Sequence, residues 1–320
     1  MSSQFFHTSL KSELGIIQIQ GPDAGKFLQG QFSSDLLGLA DGQGQWSSYS
    51  TAKGRMIANF YILHQDGAFF MFLSADLAGE VVNRLLKYRL MAKAEISRAE
   101  DHGWSLLGVW GEGAEQGLSS ALQDVVPEEA NRGSRLSGGL LLLRTPWKEP
   151  AWWVTGPAIA LEGVGNKLEE AGGVRAGADA WRHTAIMAGT AFITRATSEQ
   201  VIPQELNLEI LGGISFKKGC YPGQEIVARS HYLGKLKNQC YRIESPVEMH
   251  PGEPIFTPEM GEQAVGTVIN AARNGDSHTA LAVLRAANAQ APLYLGSPAG
   301  PRISLGTLPY PLPLERNGAD

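Results

Sequence analysis

Two stretches constrain the fold of this chain more than any others. "NFYILHQDGAFFMFLS" is a pair of apolar runs around Gln65-Asp66-Gly67, and "LLLLRTPWKEPAWWVTG" is a second pair around a Pro, Lys and Glu turn. Each pattern predicts a β-hairpin. The runs of the second are continuous rather than alternating, so its strands are expected to be covered on both faces. Amphipathic helical patterns accompany them. Leu77, Val81, Leu85 and Leu86 form one apolar stripe, with Asp76 placed to cap its start. "IQGPDAGKFLQGQF" opens another helix, with Pro22 and Asp23 in its first turn. "GAEQGLSSALQ", "PAIALEGVGNKLEEAGG" and "AWRHTAIMAG" continue the helical pattern, and "KAEISRA" and "WSLLGVWG" add strands. Helix and strand alternate without a βαβ rhythm, which predicts the α+β class.

After residue 240 the pattern changes. Short β-like runs ("QCYRIES", "AVGTVINAA", "TALAVLR") alternate with Gly and Pro turns, as expected of a small all-β module. The chain's 320 residues exceed one typical core, so two or three domains are expected. The Gly-, Pro- and charge-rich "VVPEEANRGSRLSGG" marks the expected internal boundary before residue 140, and the last ten residues read as a loose tail.

The charge balance excludes some classes. A net charge of −5 weighs against non-specific nucleic-acid binding over the whole surface. Two cysteines, Cys220 and Cys240, make neither a disulfide framework nor a CxxC zinc site, and cannot alone ligate an iron–sulfur cluster. The N-terminal residues lack the basic and apolar regions of a signal peptide, and no apolar run nears the roughly 20 residues of a membrane span. A reduced, cytoplasmic setting without membrane contact is expected.

Four constellations carry candidate chemistry. In "FKKGCYPGQEIVAR", Cys220 follows Lys217, Lys218 and Gly219, and Tyr221-Pro222-Gly223-Gln224 fits a type II turn. Cations and free backbone N–H groups favour a thiolate, but a small buried hydrophobe beside a turn fits the same residues equally well. Cys240, inside an apolar strand pattern, reads as core. His231 and Asn238 are the nearest candidates for the base and orienting group of a cysteine hydrolase, and no protease signature accompanies them. "VIPQELNLEILGGISF" offers Gln204, Glu205 and Asn207, whose amides could read a heterocycle edge or simply line a polar loop. "STAKGRMIANF" places Lys53 and Arg55 around Gly54, suited to an anionic tail or to a solvated turn. "YLGKLKNQ" adds Lys235 and Lys237, which by default belong to a solvated face.

The string "GGISFKKGCYPGQEIVAR" resembles the signature of the YgfZ family, a branch of the GcvT-like folate-binding proteins. The hallmark Lys-Gly-Cys-aromatic-x-Gly-Gln-Glu is matched by Lys218, Gly219, Cys220, Tyr221, Gly223, Gln224 and Glu225. "GPDAGKFLQGQFSSDL", "TAKGRMIANFYI", "KYRLMAKAEI", "VIPQELNLEILGGISF", "AVGTVIN" and "ALAVLR" are similar to further family segments, so the resemblance spans most of the chain. It implies a three-part architecture, two α+β subdomains and a C-terminal β-barrel around a central cleft. Mapped here, residues 1–237 form the folate-binding region, with subdomain one about 1–45 plus 136–237 and subdomain two about 46–135. The barrel takes 238–310 and the tail 311–320.

The resemblance also implies tetrahydrofolate as cofactor and iron–sulfur client enzymes or assembly factors as partners. An effect on tRNA thiolation would be indirect, without direct nucleic-acid contact. Cys220 takes the place of the essential thiol and Lys218 that of its basic companion. Arg55, Gln204, Asn207, Tyr221, Gln224, Glu225 and Arg229 are the expected folate contacts. Two departures stand out. The aspartate pair of the aminomethyltransferase relatives falls on Ala58 and Asn59, neither of which is an acid, which argues against glycine-cleavage chemistry. The pterin-binding glutamate falls on Met187, which cannot accept paired N–H donors as a carboxylate does. A folate-dependent one-carbon transferase and a non-catalytic docking module are the rival readings.

Overall fold

Asp66 and Gly67, at the tip of the first predicted hairpin, both have left-handed φ (53° and 73°). Two such residues make the tight turn whose twist matches that of the flanking strands. Accordingly β4 (Met56–Gln65) and β5 (Ala68–Ser74) pair antiparallel from Gln65↔Ala68 to Tyr61↔Phe72. The computed structural model describes residues 4–232 and 236–312. Its described residues fall into two units. The first holds those up to 31, 35–46 and 60–181, and the second holds 32–34, 47–59 and those from 182 onward.

In the first unit a sheet runs in the order β11 (Val174–Arg175), β1 (Phe5–Ser9), β7 (Trp104–Gly111), β10 (Ala151–Pro157), β9 (Leu141–Arg144), β8 (Gly133–Arg135). β9 and β10 form the second predicted hairpin, and β9 and all of β10 up to Gly156 are buried, as continuous apolar runs require. Helices α3 (Ala114–Leu122) and α4 (Ala158–Glu170) cover one face, packing Leu118, Leu161 and Leu168 on Val109, Trp152 and Val154. Trp153 points the other way. It is fully buried, with its ring 5.1 Å from Phe72, 5.5 Å from Tyr61 and 6.4 Å from Trp181 between centroids.

The second sheet is ordered β3 (Gln43–Ser50), β4, β5, β2 (Leu14–Gln20), β6 (Glu95–Arg98). α1 (Ala24–Gln29) lies beside it in sequence, and α2 (Ala75–Arg89) turns Leu77, Val81 and Leu85 inward. Leu86, expected in that stripe, is exposed, so the buried face is narrower than the sequence pattern. Ser74, not Asp76, is the N-cap residue of α2, and its hydroxyl donates to the Asp76 carboxylate at 2.8 Å.

The expected boundary at 125–139 is not one. β8 pairs with β9 there, the Gly133 N–H donates to the Gly42 carbonyl at 2.9 Å, and the Tyr61 hydroxyl donates to Asn131 at 2.5 Å. Loop-like composition marked a surface stretch, but long-range pairing holds it inside the first unit. The change of unit falls instead between Trp181 and Arg182, within α5 (Ala178–Met187).

In the second unit, β12 (Asn238–Ser245), β15 (Ser277–Arg285), β14 (Gly266–Asn274), β13 (Pro254–Phe256), β16 (Leu293–Leu295) and β17 (Arg302–Leu305) form a closed barrel, with β17 returning to β12. Ile243, Val268, Ala282, Leu284 and Ile303 fill it. Residues 182–232 share a unit with this barrel, whereas the sequence assigned them with residues 1–45. Cys240 is fully buried on β12, and burial pushes its thiol pKa up to about 12. That thiol stays protonated and packs as a hydrophobe. Among the described residues no helix is long and apolar enough to cross a membrane.

Candidate functional site

Every sequence-predicted site residue that the structure describes lies in the second unit. Cys220 is exposed, on the loop that leads into α6 (Gln224–Tyr232). Three sets of contacts hold this loop. The first fastens its approach. The Ser33 hydroxyl donates to the Gly213 carbonyl at 2.6 Å, and the Ser215 N–H donates to the Ser33 carbonyl at 2.8 Å. The Lys218 ammonium donates to the carbonyl of Phe32, and to that of Ser34 at 3.0 Å. It also lies 5.0 Å from the centroid of the Tyr221 ring, a cation–π distance. Lys218, expected as a companion of the thiol, is thus engaged with main chain 184 and 186 residues away in sequence. Its charge fixes where the next residues go.

The second set is a contact between two turns. The Gln224 N–H donates to the Tyr221 carbonyl at 3.2 Å and Gly223 has φ +81°, as the predicted type II turn requires. The turn at Thr51–Arg55 closes through Gly54 N–H to Thr51 O at 2.9 Å and Thr51 N–H to Arg55 O at 2.8 Å. A Cβ on Gly223 would lie 2.6 Å from the Gly54 Cα and from the Thr51 carbonyl oxygen. The Lys-Gly-Arg and Cys-Tyr-Pro-Gly strings are therefore brought backbone against backbone, which only glycine allows.

The third set holds α6. Gln204 is buried, and its amide donates to the Val227 carbonyl at 2.6 Å. Its side-chain oxygen is buried without a hydrogen-bond partner. The His231 Nδ1–H donates to the Glu209 carboxylate at 2.8 Å, and the ring stacks on Phe216 with centroids 3.9 Å apart. Asn238 donates to Glu205 at 2.7 Å. His231 and Asn238 therefore have other partners than each other, and the hydrolase pairing does not form.

The remaining expected contacts divide. Tyr221 is buried, its hydroxyl has no partner, and burial pushes its pKa up to about 12. Gln224, Glu225 and Arg229 lie on α6, the last two exposed. Arg55 donates to the Gln200 carbonyl and lies 3.7 Å from the Glu205 carboxylate. Asn207 is buried, and its amide donates to the Cys240 carbonyl at 3.0 Å and to the Tyr310 hydroxyl at 3.4 Å, so it ties its loop to the barrel. Lys235 lies outside the described residues.

Ala58 is buried, and Asn59 donates to the Ala191 carbonyl and accepts from the Ile193 N–H, both at 2.7 Å. Neither residue is an acid, and the Asn59 amide is engaged through both its nitrogen and its oxygen. Met187 is 40% exposed, and its sulfur lies 3.1 Å from an N–H of Arg242, a neighbour that sequence reasoning missed because it stands 55 residues away. A thioether facing a guanidinium gives no acceptor for a pterin's paired N–H donors. The residues at this position therefore do not fit the pterin edge. Among the described residues no cluster of His, Cys, Asp or Glu forms a metal site.

A solved structure with the same arrangement is the glycine cleavage system aminomethyltransferase T from Bartonella henselae. It matches with a TM-score of 0.79 over 96% of this chain and 86% of its own, at 16% identity. The chain thus has a GcvT-like fold. No family model matches it. Curated relatives carry the description "tRNA-modifying protein YgfZ". That of Pectobacterium carotovorum subsp. carotovorum (strain PC1) is 32% identical over 91% of this chain and 87% of its own length. That of Photorhabdus laumondii is 34% identical over 74% and 70%, and that of Klebsiella pneumoniae (strain 342) 34% over 83% and 81%. The chain belongs to the YgfZ family.

Proposed function

We propose that this chain supports tRNA modification indirectly, as an accessory protein in the assembly or repair of iron–sulfur enzymes, with Cys220 as its working thiol. The observation that carries this reading is the exposure of Cys220 on a loop clamped by Lys218 and by the Gly54–Gly223 contact. An exposed cysteine is available as a nucleophile or soft ligand in its thiolate form, and a clamped loop presents it in one place. Lys218 acts as the strut of that loop. The setting is the cytoplasm. One-carbon transfer is not part of the proposal, because Ala58 and Asn59 supply no acid. Tetrahydrofolate enters only as a ligand held weakly. Without a carboxylate at residue 187 one charge-assisted hydrogen bond is missing, worth roughly 1.5–3 kcal/mol.

Complementation of a strain lacking its own family member tests the thiol. Wild type restores iron–sulfur enzyme activity and tRNA thiolation, and Cys220→Ala restores neither. Equal rescue by Cys220→Ala removes the thiol role. If Cys220→Ser rescues as well as wild type, the loop serves as a docking surface instead. Titration with tetrahydrofolate tests the ligand separately. Met187→Glu should tighten binding by about ten- to a hundredfold. If neither form binds, folate leaves the proposal.

A further inference from the structure

Beyond β17 the chain continues as a strap, residues 306–312, with the sequence Gly-Thr-Leu-Pro-Tyr-Pro-Leu and neither helix nor strand. Pro309 and Pro311 have no N–H to give, and each keeps the residue before it out of helical backbone. At the start of the strap the Gly306 N–H donates to the Arg242 carbonyl at 2.8 Å. After Gly306, the only hydrogen bonds that join the strap to other described residues are those of the Tyr310 hydroxyl. It donates to the Gly189 carbonyl at 2.6 Å and receives the Asn207 amide at 3.4 Å. One ring therefore holds the strap down.

The seat beneath has the shape of that ring. Gly189, just after α5, has φ +69°, and a Cβ there would lie 2.6 Å from the Tyr310 ring. Glycine thus leaves the space that the ring fills. Asn207 is 2% exposed, and its amide also donates to the Cys240 carbonyl at 3.0 Å, a bond in which the ring takes no part.

The phenol is an imperfect occupant. Its one oxygen serves both a carbonyl and an amide, and the second contact is stretched beyond the ordinary N–H···O range. A lactam edge has an N–H beside a C=O, one atom for each partner. The strap also covers a donor without satisfying it. The main chain of Gly306 lies so close to Arg242 that a Cβ there would be 2.3 Å from Nε, and this buried Nε has no hydrogen-bond partner. Such a group is uncommon and costly. Cys240 and Arg242 are two residues apart on β12, hence on one face and about 7 Å from each other. A small molecule lying in the seat spans that distance.

We propose that Tyr310 is a plug in a binding seat for a planar heterocycle with a lactam edge, the 2-amino-4-oxopyrimidine ring that pterins and guanine share. Ligand and strap exclude each other. The lactam N–H donates to the Gly189 carbonyl, its oxygen accepts from Asn207, and the lifted strap frees Arg242 Nε for a further acceptor. The acceptor at the edge is main chain, so the seat does not depend on the side chain at residue 187. Cys220 plays no part in it.

The test uses the full-length chain labelled with 3-fluorotyrosine. The Tyr310 signal in fluorine NMR is the one missing from Tyr310→Phe. Tetrahydrofolate and guanosine are titrated separately, and displacement of the strap moves that signal to the position of a solvent-exposed tyrosine. Calorimetric titration gives the affinities. Tyr310→Ala should tighten binding about tenfold, because a plugged site binds with an apparent affinity lowered by the fraction that is open. Adding Gly189→Ala should abolish the gain, because the new Cβ fills the seat. Thermal unfolding shows that each variant is folded at the titration temperature. Displacement by tetrahydrofolate, alone or with guanosine, upholds both the plug and the folate reading. Displacement by guanosine alone upholds the plug and removes tetrahydrofolate from the proposed function. Tetrahydrofolate bound with Tyr310 still seated keeps that ligand and overturns the plug. Displacement by neither probe, or equal affinity in Tyr310→Ala and wild type, also overturns it.

Discussion

All seven tryptophans of the chain fall in the first unit, and both cysteines fall in the second. The first unit is organised around rings. Trp153 touches Phe72, Tyr61, Trp147 and Trp181 at centroid distances of 5.1–6.4 Å. The second is organised, near Cys220, by hydrogen bonds from side chains to main chain, with Lys218, Gln204, Asn207 and Asn59 each donating to a backbone carbonyl. The difference teaches where order comes from. Ring packing gives one unit its stability through buried area, whereas polar clamps give the other the fixed course of its loops.

The comparison can be broken most forcefully at Trp153. Trp153→Ala removes the centre of the ring cluster and should cost about 3–5 kcal/mol, read as a large drop in the unfolding transition of the first unit by calorimetry. An unchanged transition would mean that the cluster is not what holds that unit.

Gly223→Ala probes the opposite style of order. The left-handed φ alone costs about 1–2 kcal/mol for a residue with a Cβ, and the 2.6 Å approach to Gly54 adds a clash with main chain. The expected result is a modest loss of stability with much faster tryptic cleavage at Lys217 and Lys218, because the loop loses its seat. Unchanged cleavage would show that the turn contact does not fix the loop.

The smallest effect expected is one of pH. His7 is buried on β1, 3.5 Å from Glu169, and its pKa is lowered from 6.5 chiefly by burial and next by Arg175, with Glu169 opposing. The unfolded chain therefore takes up a proton near pH 6.5 that the folded chain resists. Stability from this residue is full above that pH and falls as pH drops toward the folded value. His7→Gln should flatten the decline of melting temperature between pH 7 and pH 5. A curve identical to wild type would remove His7 from the account.

Much of this was legible in the sequence because the relevant signals are local. The Gln65-Asp66-Gly67 turn, the continuous runs of β9 and β10 and the Gly/Pro-punctuated barrel strands all follow from period and turn chemistry. The string around Cys220 also marked its turn correctly. What was not legible depends on distant partners. Residues 125–139 look like a linker until β8 finds β9, and no turn residue signals the change of unit inside α5. The amides of Gln204 and Asn207 suggested ligand contacts, but a sequence does not show that Val227 and Cys240 carbonyls take their N–H groups. Nor could it show that Arg242 would stand against Met187.

The segregation of tryptophan has a practical side. Tryptophan emission from this protein, excited at the red edge where tyrosine does not absorb, originates in the first unit, since no indole lies in the second. A melt followed by tryptophan emission would record the ring cluster coming apart and remain blind to the unit that presents Cys220. Its loss of structure would be seen instead by the uncovering of Cys240, whose buried thiol becomes open to a maleimide dye only when the barrel opens.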